Sequence, residues 1–186
     1  MSGKIENNSR SHIYDKMFKN YLKMYHFLFI ETPSAKILLY KRRQNMTPYI
    51  HKVQYYETDK MGITHHSNYV RWMEEARIDY MEKIGWSYDR MEKEGTFSPV
   101  LAIDCKYKES TTFADDIIIH VFVKECGPVR MTLAYEMTKT SNNHLVFSGI
   151  SQHCFLNECG KPIRLNKACP EFYQTLQDLI INQENQ

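Results

Sequence analysis

The stretch Ser67–Gly85, SNYVRWMEEARIDYMEKIG, decides the fold. Tyr69, Met73, Ala76, Tyr80 and Ile84 recur at spacings of four, three, four and four, which draws one apolar stripe along a helix. Ser67 or Asn68 suits the N-cap, where a side-chain oxygen accepts a free backbone N–H. Gly85 suits the C-terminal end, because glycine enters the left-handed conformation without a Cβ clash. Glu74 and Arg77 stand three residues apart on the helix surface and form a supporting ion pair.

Residues 49–58 before it read as a strand, with Ile50 and the aromatic Tyr55 and Tyr56 as its apolar positions. After it come PVLAIDCKYKES, DDIIIHVFVKEC, RMTLAYEMTKT and HLVFSGISQHCFL, rich in β-branched and aromatic residues and separated by turn signals. In RMTLAYEM, Met131, Leu133, Tyr135 and Met137 share one face. IIIHVFV is apolar on both faces, which places that strand centrally. CPEFYQTLQDLI closes the chain as a helix with Pro170 in its first turn. This order predicts an α+β domain, an antiparallel sheet of about five strands wrapped around one long helix. Its open edges favour pairing with a second copy.

At 186 residues and 42% hydrophobic, the chain holds enough apolar material for one domain with an appendage. Five cysteines without a CxxC pair favour reduced thiols and a cytoplasmic protein over a secreted disulfide scaffold. No apolar run approaches the roughly 18 residues of a membrane span. The net charge of +2 hides an asymmetry: residues 1–45 carry nine Lys/Arg against three acidic residues. That arm lacks both a secretory h-region and the turn glycine of a DNA-binding helix pair, so neither secretion nor nucleic-acid binding is expected. Strand-like alternation begins at Met46. The expected division is a basic extension over 1–45, dispensable or upstream of the true start, and a domain over 46–186.

The chemistry concentrates in YYETDKMGITHHSNYVRW, Tyr55 to Trp72. Asp59 ends the first strand, Gly62 lets the chain turn back, and the helix begins a few residues later. A carboxylate then lies beside a helix N-terminus, whose unpaired N–H groups hold the oxyanion that forms when a carbonyl is attacked. Blander readings stand beside this one. Glu57 and Asp59 solvate a loop in one of them, and His66 is a hydrogen-bonded core histidine in another. His65 and His66 are adjacent and diverge, and no HxxxH or Cys/His set completes a metal site. Ser110, Ser148 and Ser151 lack a nucleophile-elbow frame.

Tyr55, Glu57, Thr58, Asp59, Gly62, Ile63, His66 and Tyr69, continuing into EEAR, resemble the active-site signature of the hot-dog-fold acyl-CoA thioesterases. These form the 4-hydroxybenzoyl-CoA thioesterase family, which includes a branch associated with the Tol-Pal system. The resemblance runs from Met46 to the C-terminal helix. It implies hydrolysis of an acyl-CoA to a carboxylic acid and CoA, with no cofactor beyond the CoA of the substrate. Asp59 takes the position of the catalytic carboxylate, as nucleophile or as the base that activates water. His66 takes the position whose backbone N–H polarises the thioester carbonyl, with its ring as a possible assistant. Tyr55 and Tyr69 fall where the acyl pocket is shaped, or serve packing. Arg130 falls near the position of the CoA phosphates, or is a surface arginine. A homodimer or homotetramer is implied. Two alternatives are a hot-dog hydratase or dehydratase, against which the missing Asn-Pro after Asp59 speaks, and a non-catalytic acyl-CoA sensor.

Overall fold

The computed structural model describes residues 46–181, and the expectations for residues 1–45 lie outside them. Five antiparallel strands, β1 (Tyr49–Lys52), β2 (Val100–Tyr107), β3 (Asp116–Cys126), β4 (Arg130–Lys139) and β5 (Leu145–Cys154), form one sheet. Their order is β1-β3-β4-β5-β2. The sheet wraps around helix α1 (Ser67–Lys83), and α2 (Tyr88–Lys93), α3 (Leu165–Ala168) and α4 (Pro170–Ile181) complete the fold. β3 is interior, flanked by β1 and β4, while β4 holds the middle place.

The stripe read from the sequence is buried: Tyr69, Met73, Ala76 and Tyr80 face the sheet, and Trp72 joins them with no exposed surface. They meet Ile117, Ile119, Leu133, Met137 and Phe147 from the inner faces of β3, β4 and β5. Met131, Leu133, Tyr135 and Met137 all point inward, as the alternation in β4 requires. α1 crosses β5 where a glycine makes room. A Cβ on Gly149 would stand 2.7 Å from Phe147 Cε1 and 3.1 Å from Met73 Sδ.

The C-terminal end of α1 is a Schellman motif. Gly85 takes φ +86°, its N–H reaches the Glu82 carbonyl, and Trp86 N–H reaches the Met81 carbonyl. The N-terminal end differs from expectation. The N-cap is His66, in helical conformation and without a side-chain cap bond. Ser67 Oγ is engaged with His65 Nδ1 at 2.8 Å, and Asn68 lies inside the first turn, where its amide donates to the Glu57 carbonyl. Arg77 lies 3.9 Å from Glu74, but its side chain is buried and donates to the hydroxyls of Tyr88 and Tyr135.

The first strand is shorter than its pattern suggested. β1 stops at Lys52, which pairs with Asp116, the first residue of β3, so no partner strand extends beyond it. A 3-10 turn over Tyr55–Glu57 follows. On β1 the apolar Ile50 is 59% exposed and the polar His51 is buried.

Candidate active site

Asp59 opens a tight hairpin. Its N–H bonds to the Ile63 carbonyl and its carbonyl receives Gly62 N–H, both at 2.9 Å. Thr58 and Thr64 bridge the two arms. Gly62 stands at φ +77°, so the loop Lys60–Gly62 has the form of a turn closed by a left-handed residue. The half-exposed Asp59 carboxylate receives Met61 N–H on Oδ1 at 2.8 Å. Oδ2 has no hydrogen-bond partner among the described residues.

The returning arm runs into α1. His65 N–H reaches the Glu57 carbonyl at 2.8 Å, and Asp59 lies two residues, roughly 7 Å, further along. The next peptide N–H, that of His66, has no acceptor among the described residues, and His66 is exposed. Its carbonyl receives the Tyr107 hydroxyl at 3.2 Å. The His66 ring packs on His65, with centroids 4.2 Å apart, and makes no hydrogen bond among the described residues. The Glu57–His65 hydrogen bond is thus flanked by an uncommitted peptide N–H at the positive end of a 17-residue helix on one side and by a carboxylate with an uncommitted oxygen on the other.

Tyr69 lies one turn into α1 as the floor of this region. It is 3% exposed, its hydroxyl meets Thr111 Oγ1 at 3.0 Å, and its ring stacks on Phe147. Burial raises its hydroxyl pKa, so it stays protonated. Tyr55 is 78% exposed on the 3-10 turn, edge-on to Phe113. With Tyr56, Met61 and Phe113 it surrounds the hairpin with exposed apolar surface. Arg130 is not brought to Asp59 within one chain. The hairpin adjoins the Asp116 and Lys139 end of the sheet through the Ile63–Thr112 bridge and the Asp115–Lys139 ion pair. Arg130 begins β4 at the other end, roughly 30 Å away.

The network behind the hairpin was missed from sequence. Glu57, for which a solvated loop position was one of the readings beside its place in the signature, is 4% exposed. Its carboxylate accepts from Gln54 N (2.7 Å), His51 Nε2 (2.9 Å) and Trp72 Nε1 (2.7 Å). Burial works against its charge, but those donors together hold its pKa below the usual carboxylate value. His51 Nδ1 faces Glu75, which also accepts from the Tyr49 hydroxyl. The available signal was a polar residue in an apolar strand, and the apolar neighbour Ile50 masked it.

One long helix wrapped by a five-stranded antiparallel sheet, with a carboxylate hairpin at its N-terminus, is the hot-dog architecture of thioester hydrolases. The chain belongs to the thioesterase-like superfamily, whose sequence profile matches residues 53–172. It is 31% identical over 122 residues to the Bacillus subtilis protein named "Putative acyl-CoA thioesterase YneP", covering 66% of this chain and 88% of that one. The crystal structure of the DHNA-CoA thioesterase of Staphylococcus aureus is also 31% identical, with a TM-score of 0.70 over 75% of this chain and 95% of that one. A 1,4-dihydroxy-2-naphthoyl-CoA thioesterase from Synechocystis shares the fold at 15% identity, with a TM-score of 0.62 over 74% of this chain and 97% of that one. Among the described residues no helix is long and apolar enough to cross a membrane.

Proposed function

We propose that this chain hydrolyses acyl-CoA thioesters with an apolar acyl group to the free acid and CoA at the Asp59 hairpin. The observations that carry the reading are two uncommitted groups flanking the Glu57–His65 hydrogen bond, the unpartnered His66 N–H at the start of α1 and the half-exposed Asp59 carboxylate. The thioester oxygen takes the His66 N–H, which strengthens as negative charge develops. Asp59 either attacks the carbonyl carbon to give a mixed anhydride and CoA thiolate, or removes a proton from the attacking water. The only group this route needs beyond the chain is CoA, as part of the substrate. Tyr55 and Phe113 supply apolar surface for the acyl group, with Tyr69 beneath. The five free cysteines agree with a reducing cytoplasm.

The active form in this reading is a homodimer joined through β2. That strand ends the sheet, one of its edges has no strand partner among the described residues, and Val100, Leu101, Ile103 and Tyr107 are exposed on it. Val100 lies at the Arg130 end of the sheet and Tyr107 at the Asp59 end. Antiparallel pairing of two β2 strands therefore carries Arg130 of a second copy toward Asp59 of the first, where a guanidinium suits the CoA phosphates.

The test is CoA release from a panel of aliphatic and aromatic acyl-CoAs. Wild type is expected to turn over at least one of them, and Asp59→Ala to lose a hundredfold or more in kcat, on the order of a general base's contribution. Equal activity of the variant defeats the assignment. Single turnover in labelled water separates the routes, since label in Asp59 marks the anhydride.

A further inference from the structure

The residue that sets the geometry of this site is two positions before its carboxylate. Glu57 is the acceptor for five N–H groups drawn from distinct parts of the fold. Its side chain takes those of His51 on β1, Gln54 before the 3-10 turn, and Trp72 on α1. Its carbonyl takes those of His65 and of the Asn68 side chain, both at 2.8 Å. Asp59 follows it by two residues, and the His66 N–H follows the bonded His65 by one. The strand, the hairpin and the first two turns of the helix therefore meet on one residue.

We infer that Glu57 is a positioning residue: its carboxylate, gripped by His51 and Trp72, fixes the distance between Asp59 and the His66 N–H. This rests on the thioesterase reading of the site. A neutral side chain of the same shape cannot take all three N–H donors, because the amide of Gln presents its own N–H₂ to one of them. The hairpin then shifts against α1. Displacements near 1 Å reduce turnover by about a hundredfold while leaving much of the substrate binding intact. His51 carries the brace outward, since its second ring nitrogen faces the half-exposed Glu75, and Tyr49 holds Glu75 in turn. The other neighbours of His51 are the Trp72 ring, with centroids 4.5 Å apart, and Ile117 across the β1–β3 ladder.

The experiment measures kcat and KM of Glu57→Gln, Trp72→Phe, Asp59→Ala and the Glu57→Gln/Asp59→Ala double variant on the best acyl-CoA. Circular dichroism confirms the fold of each. Glu57→Gln is expected to lose about a hundredfold in kcat with KM within about threefold of wild type. Trp72→Phe, which removes one donor and keeps an aromatic but smaller ring, loses about tenfold and stands in if Glu57→Gln does not fold. In the double variant the Glu57 change adds no further loss to that of Asp59→Ala, the signature of a residue acting through another. Wild-type kcat in both Glu57→Gln and Trp72→Phe overturns the inference. So does a loss carried by KM alone, or one repeated in full on the Asp59→Ala background. A wild type that releases CoA from no substrate overturns the thioesterase reading instead, and the positioning role falls with it.

Discussion

Gly62 and His153 show how single residues set local tolerance. Gly62 holds φ +77°, yet a Cβ there meets nothing within 4 Å. Gly62→Ala therefore carries backbone strain alone, about 1–2 kcal/mol, and no clash. It is expected to fold with a modestly lower urea midpoint and to lose kcat, while Gly62→Asn keeps more of both. His153 is fully buried within a one-directional chain of hydrogen bonds. Arg77 donates to Tyr135, Tyr135 to Ser151 (2.9 Å), Ser151 to His153 Nε2 (2.7 Å), and His153 Nδ1 faces the Ser98 carbonyl. Burial, aided by the Arg77 cation, pushes this imidazole down to about 4. Unfolded histidine titrates near 6.5, so below that pH the unfolded chain binds a proton that the native chain does not. Stability is full above about pH 6.5 and falls by up to about 3 kcal/mol toward pH 4. Urea midpoints at pH 7 and pH 5 check this, and His153→Gln should flatten the dependence. Neither residue's environment was legible beforehand. Gly62 was recognisable as a turn residue, whereas nothing in the sequence marked His153, because its partners are Ser151 on its own strand and a loop carbonyl, and the chain beyond them runs through β4 to α1.

At the level of elements, α1 was the most readable feature, because its buried face is apolar and its period unbroken. Its C-terminal glycine behaves as the local chemistry requires. Its N-terminus was misread because Ser67 and Asn68 look like caps, but tertiary partners, His65 and Glu57, engage both side chains. β1 was read too long for a related reason: Tyr55 and Tyr56 look like strand residues but stand exposed on the 3-10 turn, while the inward place on β1 goes to His51, held between Glu57 and Glu75. Gly149 leaves no room for a side chain between Phe147 and Met73 of α1. Gly149→Ala is expected to cost about 1–3 kcal/mol by overpacking Phe147 and Met73, read as a lowered urea midpoint. Because Phe147 stacks on Tyr69, the same variant should also reduce activity.

At the scale of the whole molecule, the strand count and the antiparallel wrap around a helix followed from element order alone. The spatial order β1-β3-β4-β5-β2 did not: the hydrophobic pattern placed β3 inside the sheet but did not name the neighbours of each strand. Arg130 illustrates the loss. Its place near the CoA phosphates was an implication of the resemblance, and the chain alone did not show that the sheet sets Arg130 and Asp59 at opposite ends of one copy. Ile103→Lys, a charge on the outermost strand, is expected to yield monomers by light scattering and to lose CoA release about tenfold or more.

Tyr107 gives β2 a second consequence. Its hydroxyl donates to the carbonyl of His66, the residue whose N–H the proposed mechanism gives to the thioester oxygen. In the proposed dimer, a second copy paired along β2 lies beside the tyrosine that holds the first helical turn, which ties the site to assembly. Specific activity then becomes a readout of protein concentration. On dilution the preparation should lose turnover per chain over time, at the rate the two copies part, and regain it on reconcentration.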